Sequence, residues 1–195
     1  MGKTLEFLFD VGSPASYIAW KRMPALAART GAVVDYQPFL LGGVFKATGN
    51  HSPGEIPAKG AWMMRDLGRF AARHGITYNR NPHFPINTLH LMRAAAGLKD
   101  DPRFMAYVDA VFDAMWQAPR NLGDPAELGP VLVHAGVTGD EFKALVEDEA
   151  VKARLKDATE RAVARGAFGA PTFFVDGELY FGQDRMDFVE EALAA

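Results

Sequence analysis

Strand-like sequence occurs only near the two ends of this chain, so a sheet can form only if those ends meet in space. Thr4-Leu-Glu-Phe-Leu-Phe-Asp10 reads as a buried strand. Gly12-Ser13-Pro14 follows at once. Ser13 has the chemistry of a helix N-cap, and Pro14 suits the first helical position, where a missing N–H costs nothing. Apolar Tyr17, Ile18, Met23, Leu26 and Ala27 then recur at helical spacing up to Gly31, and Ala32–Pro38 reads as a second strand. Strand, helix and strand in so short a span favour a right-handed parallel crossover. Strand patterning returns only at Pro171–Val175, where Asp176-Gly177 is a hairpin signal with Glu178–Phe181 as partner strand. A last helix is expected over 184–193.

The stretch between is different in kind. A Gly/Pro-rich loop is expected at 42–57, then helices over 58–74, 86–98, 102–117, 124–135 and 139–165, the last with a break. Asp124 and Asp140 are candidate caps, with Pro125 at the first position of its helix. The result is an α/β domain carrying an all-helical insertion. Residues 1–38 and 166–195 form the discontinuous α/β part, and 39–165 the insertion.

Composition narrows the function classes. Hydrophobic residues make up 49% of the 195, enough to bury a core without staples. The formal charge is −3 with Lys and Arg scattered, whereas a nucleic-acid surface needs a concentrated basic patch. No charged-then-apolar leader and no apolar run of membrane-spanning length is seen, so a soluble cytoplasmic protein is expected. There is no cysteine. That excludes disulfides, thiolate metal sites and a cysteine nucleophile, so any sulfur chemistry must arrive with a ligand. His51, His74, His83, His90 and His134 lack paired metal-ligand spacing, and no metal is expected.

Four places could carry chemistry. Ser13 sits where a helix N-terminus favours a nearby anion, and a thiolate placed there would have a lowered pKa. Gly169-Ala170-Pro171-Thr172 allows a cis X-Pro bond and a turn that offers the Ala170 backbone to an extended peptide. Gln183 and Asp184 lie where helix N-terminal groups and a carboxylate could hold a ligand's charged ends. The fourth is Asn50 with Lys59 nine residues on. Each has a plainer reading: a helix cap at Ser13 or Asp184, a strand start at Pro171, a solvated lysine at Lys59.

Together these segments resemble the bacterial 2-hydroxychromene-2-carboxylate isomerases and the related kappa-class glutathione transferases of the thioredoxin superfamily. The resemblance runs through Phe9-Asp-Val-Gly-Ser-Pro-Ala-Ser-Tyr17, Gly49-Asn50, Pro57-Ala-Lys59-Gly60 and Asp66-Leu67. It ends on Gly166-Ala-Phe-Gly-Ala-Pro-Thr172 and Phe181-Gly-Gln-Asp-Arg-Met186. It implies a thioredoxin-like domain with an inserted all-helical domain, glutathione as cofactor and a homodimer. Ser13 would hydrogen-bond the glutathione sulfur, standing where redox relatives keep the first cysteine of Cys-x-x-Cys. Ala170, before a cis Pro171, would pair with the cysteinyl backbone. Asn50 and Lys59 would hold the glycine end, and Gln183 and Asp184 the γ-glutamyl end.

The implied reaction is isomerisation of 2-hydroxychromene-2-carboxylate to trans-o-hydroxybenzylidenepyruvate in aromatic-compound degradation. It would proceed by thiolate addition, bond rotation and elimination. A kappa-like transferase or peroxidase, and a non-catalytic glutathione- or peptide-binding module, are the alternatives. For the small aromatic acid substrate, Trp62, Phe39, Phe45, Phe84 and Trp116 are expected to line an aromatic pocket between domain and insertion. Asn81–Asn87 and Gln183 depart from the pattern of the naphthalene-pathway isomerase, which bears on the substrate more than on the glutathione site.

Overall fold

Two strands from each end of the chain form one sheet. The computed structural model describes residues 3–195. β1 (Thr4–Phe9), α1 (Pro14–Thr30) and β2 (Val33–Pro38) make the parallel crossover, while β3 (Thr172–Val175) and β4 (Glu178–Phe181) make the hairpin. The sheet order is β2-β1-β3-β4, with β1 parallel to β2 and antiparallel to β3. Phe7 lies opposite both Tyr36 and Phe173. Thus a strand from the last quarter of the chain completes the pairing of the first.

The α1 helix is bounded as its sequence dictates. Ser13 Oγ accepts from the Ser16 N–H, Pro14 takes the first turn, and Gly31 closes the helix at φ 69° with its N–H on the Ala27 carbonyl. A left-handed residue at that position is a place for glycine. The hairpin turn likewise needs two positive φ values, 50° at Asp176 and 89° at Gly177.

Between the two halves run α2 (Leu41–Thr48), α3 (Pro57–Arg73), α4 (Leu89–Gly97), α5 (Phe104–Trp116), α6 (Pro125–His134), α7 (Gly139–Glu147) and α8 (Glu149–Ala164). α9 (Met186–Ala194) follows the hairpin. Among the described residues, no helix is long and apolar enough to cross a membrane. Strand alternation sends Leu5, Phe7 and Phe9 into the main core with Trp20, Phe104 and Phe112, and sends Leu8 to a smaller cluster with Phe39, Val44, Ala162 and Phe174. Helices of the intervening block therefore pack on both faces.

Several boundaries differ from expectation. Residues 42–57 are not a plain loop: α2 occupies Leu41–Thr48, and a 3₁₀ turn covers Pro53–Glu55. Gly42-Gly43 is a poor helix former, but a Cβ at Gly43 would come within 3.1 Å of Thr159 on α8. Close packing of two helices thus overrides local propensity. Asp140 lies in the first turn of α7, and the cap is Thr138, which accepts from the Glu141 N–H. Asp148 makes the expected break, ending α7 and capping α8 with bonds from the Ala150 and Val151 N–H groups. The last helix begins at Met186 because Gln183–Arg185 forms a 3₁₀ turn, so Asp184 is not its cap.

The aromatic core sets the strength of the joint between sheet and helices. Phe9 is fully buried, with its ring 5.5 Å from Trp20 and 5.8 Å from Phe112. Phe9→Ala should lower unfolding free energy by about 3–5 kcal/mol in urea denaturation. A loss below about 1 kcal/mol would mean that this cluster is not the joint.

Candidate active site

The β1–α1 turn is held from several sides. Asp10, 1% exposed, accepts from the Gly12 N–H through Oδ1 at 2.8 Å and from the Leu41 N–H through Oδ2 at 2.9 Å. The Thr88 side chain, just before α4, adds a further bond to the same carboxylate. The Val11 carbonyl accepts from Trp116 Nε1 at 2.8 Å, and the Val11 N–H points at Met92 Sδ, 3.4 Å away. The turn is therefore fixed by α2, α4 and α5 as well as by its own strand. Burial raises the pKa of the Asp10 carboxyl above its ordinary 3.8, and the hydrogen bonds from Gly12, Leu41 and Thr88 oppose that rise.

Ser13 is 4% exposed at the N-terminus of α1. Besides accepting from the Ser16 N–H, its hydroxyl donates to the Ala170 carbonyl at 3.0 Å. The Ala170–Pro171 bond is cis, as expected. Among the described residues no bond takes the Ala170 N–H. The Gly182 N–H donates to the Pro171 carbonyl at 3.0 Å, which brings the turn after β4 against this loop. Ser16, one helical turn along, is wholly buried, and its hydroxyl has no partner among the described residues.

The other expected residues sit around this centre in different states. Asn50 is exposed and donates from Nδ2 to the Phe168 carbonyl at 2.8 Å, tying the end of α2 to the loop before Pro171. Asp184 is exposed, its carboxylate 2.9 Å from Arg185 Nη1 and folded over Gly182. Gly182 has φ 98°, a left-handed value that favours glycine, and a Cβ there would meet Asp184 Oδ1 at 2.5 Å. Gln183 is 4% exposed. Its carbonyl accepts from Arg22 Nη1 at 2.7 Å, and its Oε1 is 3.5 Å from the same nitrogen. Lys59, in the first turn of α3, is exposed and joins no ion pair among the described residues.

So Ser13, Ala170, Pro171 and the turn bearing Gln183 and Asp184 are joined by direct bonds, and Asn50 joins through Phe168. No bond links Lys59 to them. The expected aromatic pocket is not assembled from the five residues named. Phe39 is wholly within the smaller core cluster, and Trp116 is wholly within the main one, 5.6 Å from Phe84. Trp62 is 55% exposed on α3. Sequence reasoning passed over Asp10 as a site residue, and missed the half-exposed ring pair Phe168 and Phe181, 4.5 Å apart beside Ala170. The signals for the first were an acid at the end of an apolar strand and its place in the Phe9-Asp-Val-Gly-Ser-Pro run.

A model of the DSBA-like thioredoxin domain matches residues 4–194. The chain is 33% identical to a 2-hydroxychromene-2-carboxylate isomerase of Sphingobium xenophagum, over 99% of each protein. It is 29% identical to human glutathione S-transferase kappa 1, over 98% of this chain and 91% of that protein. A solved 2-hydroxychromene-2-carboxylate isomerase superposes with a TM-score of 0.87 at 27% identity, over 97% of this chain and 94% of the other.

The Asp10 shift fixes a pH dependence. A carboxyl whose folded pKa is raised holds its proton better in the fold, so its stabilisation is complete below 3.8 and lost as pH rises through the folded value. The stability advantage of the wild type over Asp10→Asn should therefore fall across that window. Urea titrations of both proteins at closely spaced pH would show it, and a difference independent of pH would refute the burial argument.

Proposed function

The chain belongs to the DSBA-like thioredoxin family, with 2-hydroxychromene-2-carboxylate isomerases and kappa-class glutathione transferases among its relatives, and on that premise we propose that it is a glutathione-dependent isomerase. Its substrate is 2-hydroxychromene-2-carboxylate or a close aromatic acid of a degradative route. It acts as a cytoplasmic homodimer. Residues 1–38 and 166–195 carry most of the thiol site, and residues 39–165 form the insertion over it. One observation carries this reading: in a chain without cysteine, the Ser13 hydroxyl caps α1 and makes a single transferable bond, to the Ala170 carbonyl.

The donor set suits glutathione, a tripeptide with two carboxylates, one ammonium and one thiol. Lys59 has no competing carboxylate among the described residues and would take the glycine carboxylate, with Asn50 beside it. The free N–H of Ala170 would pair with the cysteinyl backbone at the start of β3, next to Pro171. Asp184 would take the ammonium, exchanging its bond to Arg185. Gln183, whose amide is buried against Arg22, would serve through its main-chain N–H.

Glutathione, when bound, supplies a sulfur nucleophile able to add reversibly to an unsaturated carbon and free the adjoining bond to rotate. This chain's part is to hold that sulfur as the thiolate. The Ser13 hydroxyl turns from the Ala170 carbonyl to donate to the sulfur. The unpaired N–H groups and positive end of α1 lower the thiol pKa below its ordinary value of about 8.5. The Ala170 carbonyl, once released, becomes free to accept from the cofactor's backbone.

The match to human glutathione S-transferase kappa 1 favours a second reading, in which the same site transfers glutathione to its product or reduces a peroxide. The ultraviolet spectrum of 2-hydroxychromene-2-carboxylate, followed with and without glutathione, separates these. Conversion that requires glutathione and gives a sulfur-free product is expected. Ser13→Ala should lower kcat/KM by about a hundredfold or more, as loss of one donor to a developing charge does elsewhere. A sulfur-containing product would establish the transferase instead. Glutathione binding without turnover of any such substrate, indifferent to Ser13→Ala, would leave only a binding module.

A further inference from the structure

A cavity of ligand size lies away from Ser13. It is a groove of about 830 Å³ bounded by α2, α4 and α8. None of Ser13, Asn50, Lys59, Ala170, Gln183 or Asp184 lines it. We propose that this groove binds a small amphipathic organic anion, an apolar body bearing one carboxylate or sulfonate, independently of the Ser13 site.

The floor favours an apolar body. Leu40, Leu89, Leu155 and Val163 line it. Its one buried polar side chain, Thr159, is already satisfied, accepting from the Leu40 N–H at 2.9 Å and donating to the Leu155 carbonyl at 2.8 Å. The volume falls within the roughly 300–1,000 Å³ of small-molecule sites, whose walls are mostly apolar with few polar groups. Nothing in that floor calls for a polar ligand body.

The rim favours a negative head. Lys46, Arg93, Lys152 and Lys156 face Glu149 and Glu160 around the groove, an excess of two positive charges. Both acids are matched within α8, Glu149 to Lys152 at 2.6 Å and Glu160 to Lys156 at 3.1 Å. Lys46 on α2 and Arg93 on α4 are left without a carboxylate among the described residues, the Arg93 guanidinium touching only the Val146 carbonyl at 3.4 Å. Two unmatched cations on separate helices beside an apolar floor recognise a head and a body together.

The test uses the full chain and the dye 8-anilinonaphthalene-1-sulfonate, which has an apolar ring body and one sulfonate. Its fluorescence should rise to saturation at one site per chain, and dodecanoate should compete for it. Lys46→Glu with Arg93→Glu should weaken it by about tenfold or more, a charge-assisted contact or two. Ala153→Phe, which fills the groove without touching charge, should weaken it too. Saturating glutathione and Ser13→Ala should leave dye binding unchanged, so failure here and failure of the isomerase reading are separate results. Thermal melts followed by circular dichroism confirm that each variant folds, and Lys46→Gln with Arg93→Gln replaces the reversal if it does not. Displacement of the dye by glutathione would overturn the proposal by assigning the groove to the thiol site. An affinity unmoved by charge and filling variants would overturn it as non-specific binding, and dye binding that appears only on dilution would show that a second copy covers the groove.

Discussion

The Asp10 carboxylate, closed off from water, gathers N–H groups from the β1–α1 turn and from the start of α2, and a bond from the residue before α4. A buried carboxylate is costly unless its oxygens are hydrogen-bonded, so each of these partners is fixed with respect to the others. The consequence reaches Ser13, whose N–H donates to the Asp10 carbonyl at 2.9 Å. The cap of α1, the entry to α2 and the entry to α4 are thereby one rigid assembly. Such an assembly holds the helix terminus that carries the Ser13 hydroxyl in one place, which a group acting by position requires. Gly12 belongs to the same constraint, because a Cβ there would come within 2.9 Å of the Thr88 methyl.

The groove between α2, α4 and α8 stands behind that assembly. Leu40 and Leu89, which line it, are each one residue from a partner of Asp10. The Ser13 site and the groove thus share a wall while sharing none of the site residues named above. Their electrostatics differ in construction as well. At the first, a helix terminus, one lysine and one aspartate are spread over distant segments; at the second, cations from separate helices surround an apolar floor.

What could be read from the sequence was local. Ser13-Pro14 and Gly31 mark both ends of α1 through side-chain and φ chemistry that needs no tertiary knowledge, and Asp176-Gly177 marks its hairpin for the same reason. The positions that escaped are those where a distant neighbour decides. Gly42-Gly43 looks like a breaker until Thr159 is placed against it, and Asp184 looks like a cap until the turn at Gly182 draws its carboxylate back. Trp116 and Phe39 have the composition of a ligand pocket, yet both are core, which is the commoner fate of large aromatics. The family pattern carried Asp10 along without revealing what it holds, because Leu41 and Thr88 are far from it in sequence.

The pairing of β1 with β3 has a consequence in time. Ser13 and its acceptor Ala170 are 157 residues apart, and among the described residues β3 is the strand that pairs with the far side of β1. A chain growing on the ribosome makes β1, α1 and β2 first, then must keep an unpaired strand edge and the apolar residues of that face from other chains until β3 emerges. The helical block between them packs largely on itself, α4 against α7 and α8 and α5 against α6, and as it emerges gives those residues something to rest against. The candidate site around Ser13 and Ala170 has no partial version during that interval. It comes into being in one late step, when the last strands slot beside the first.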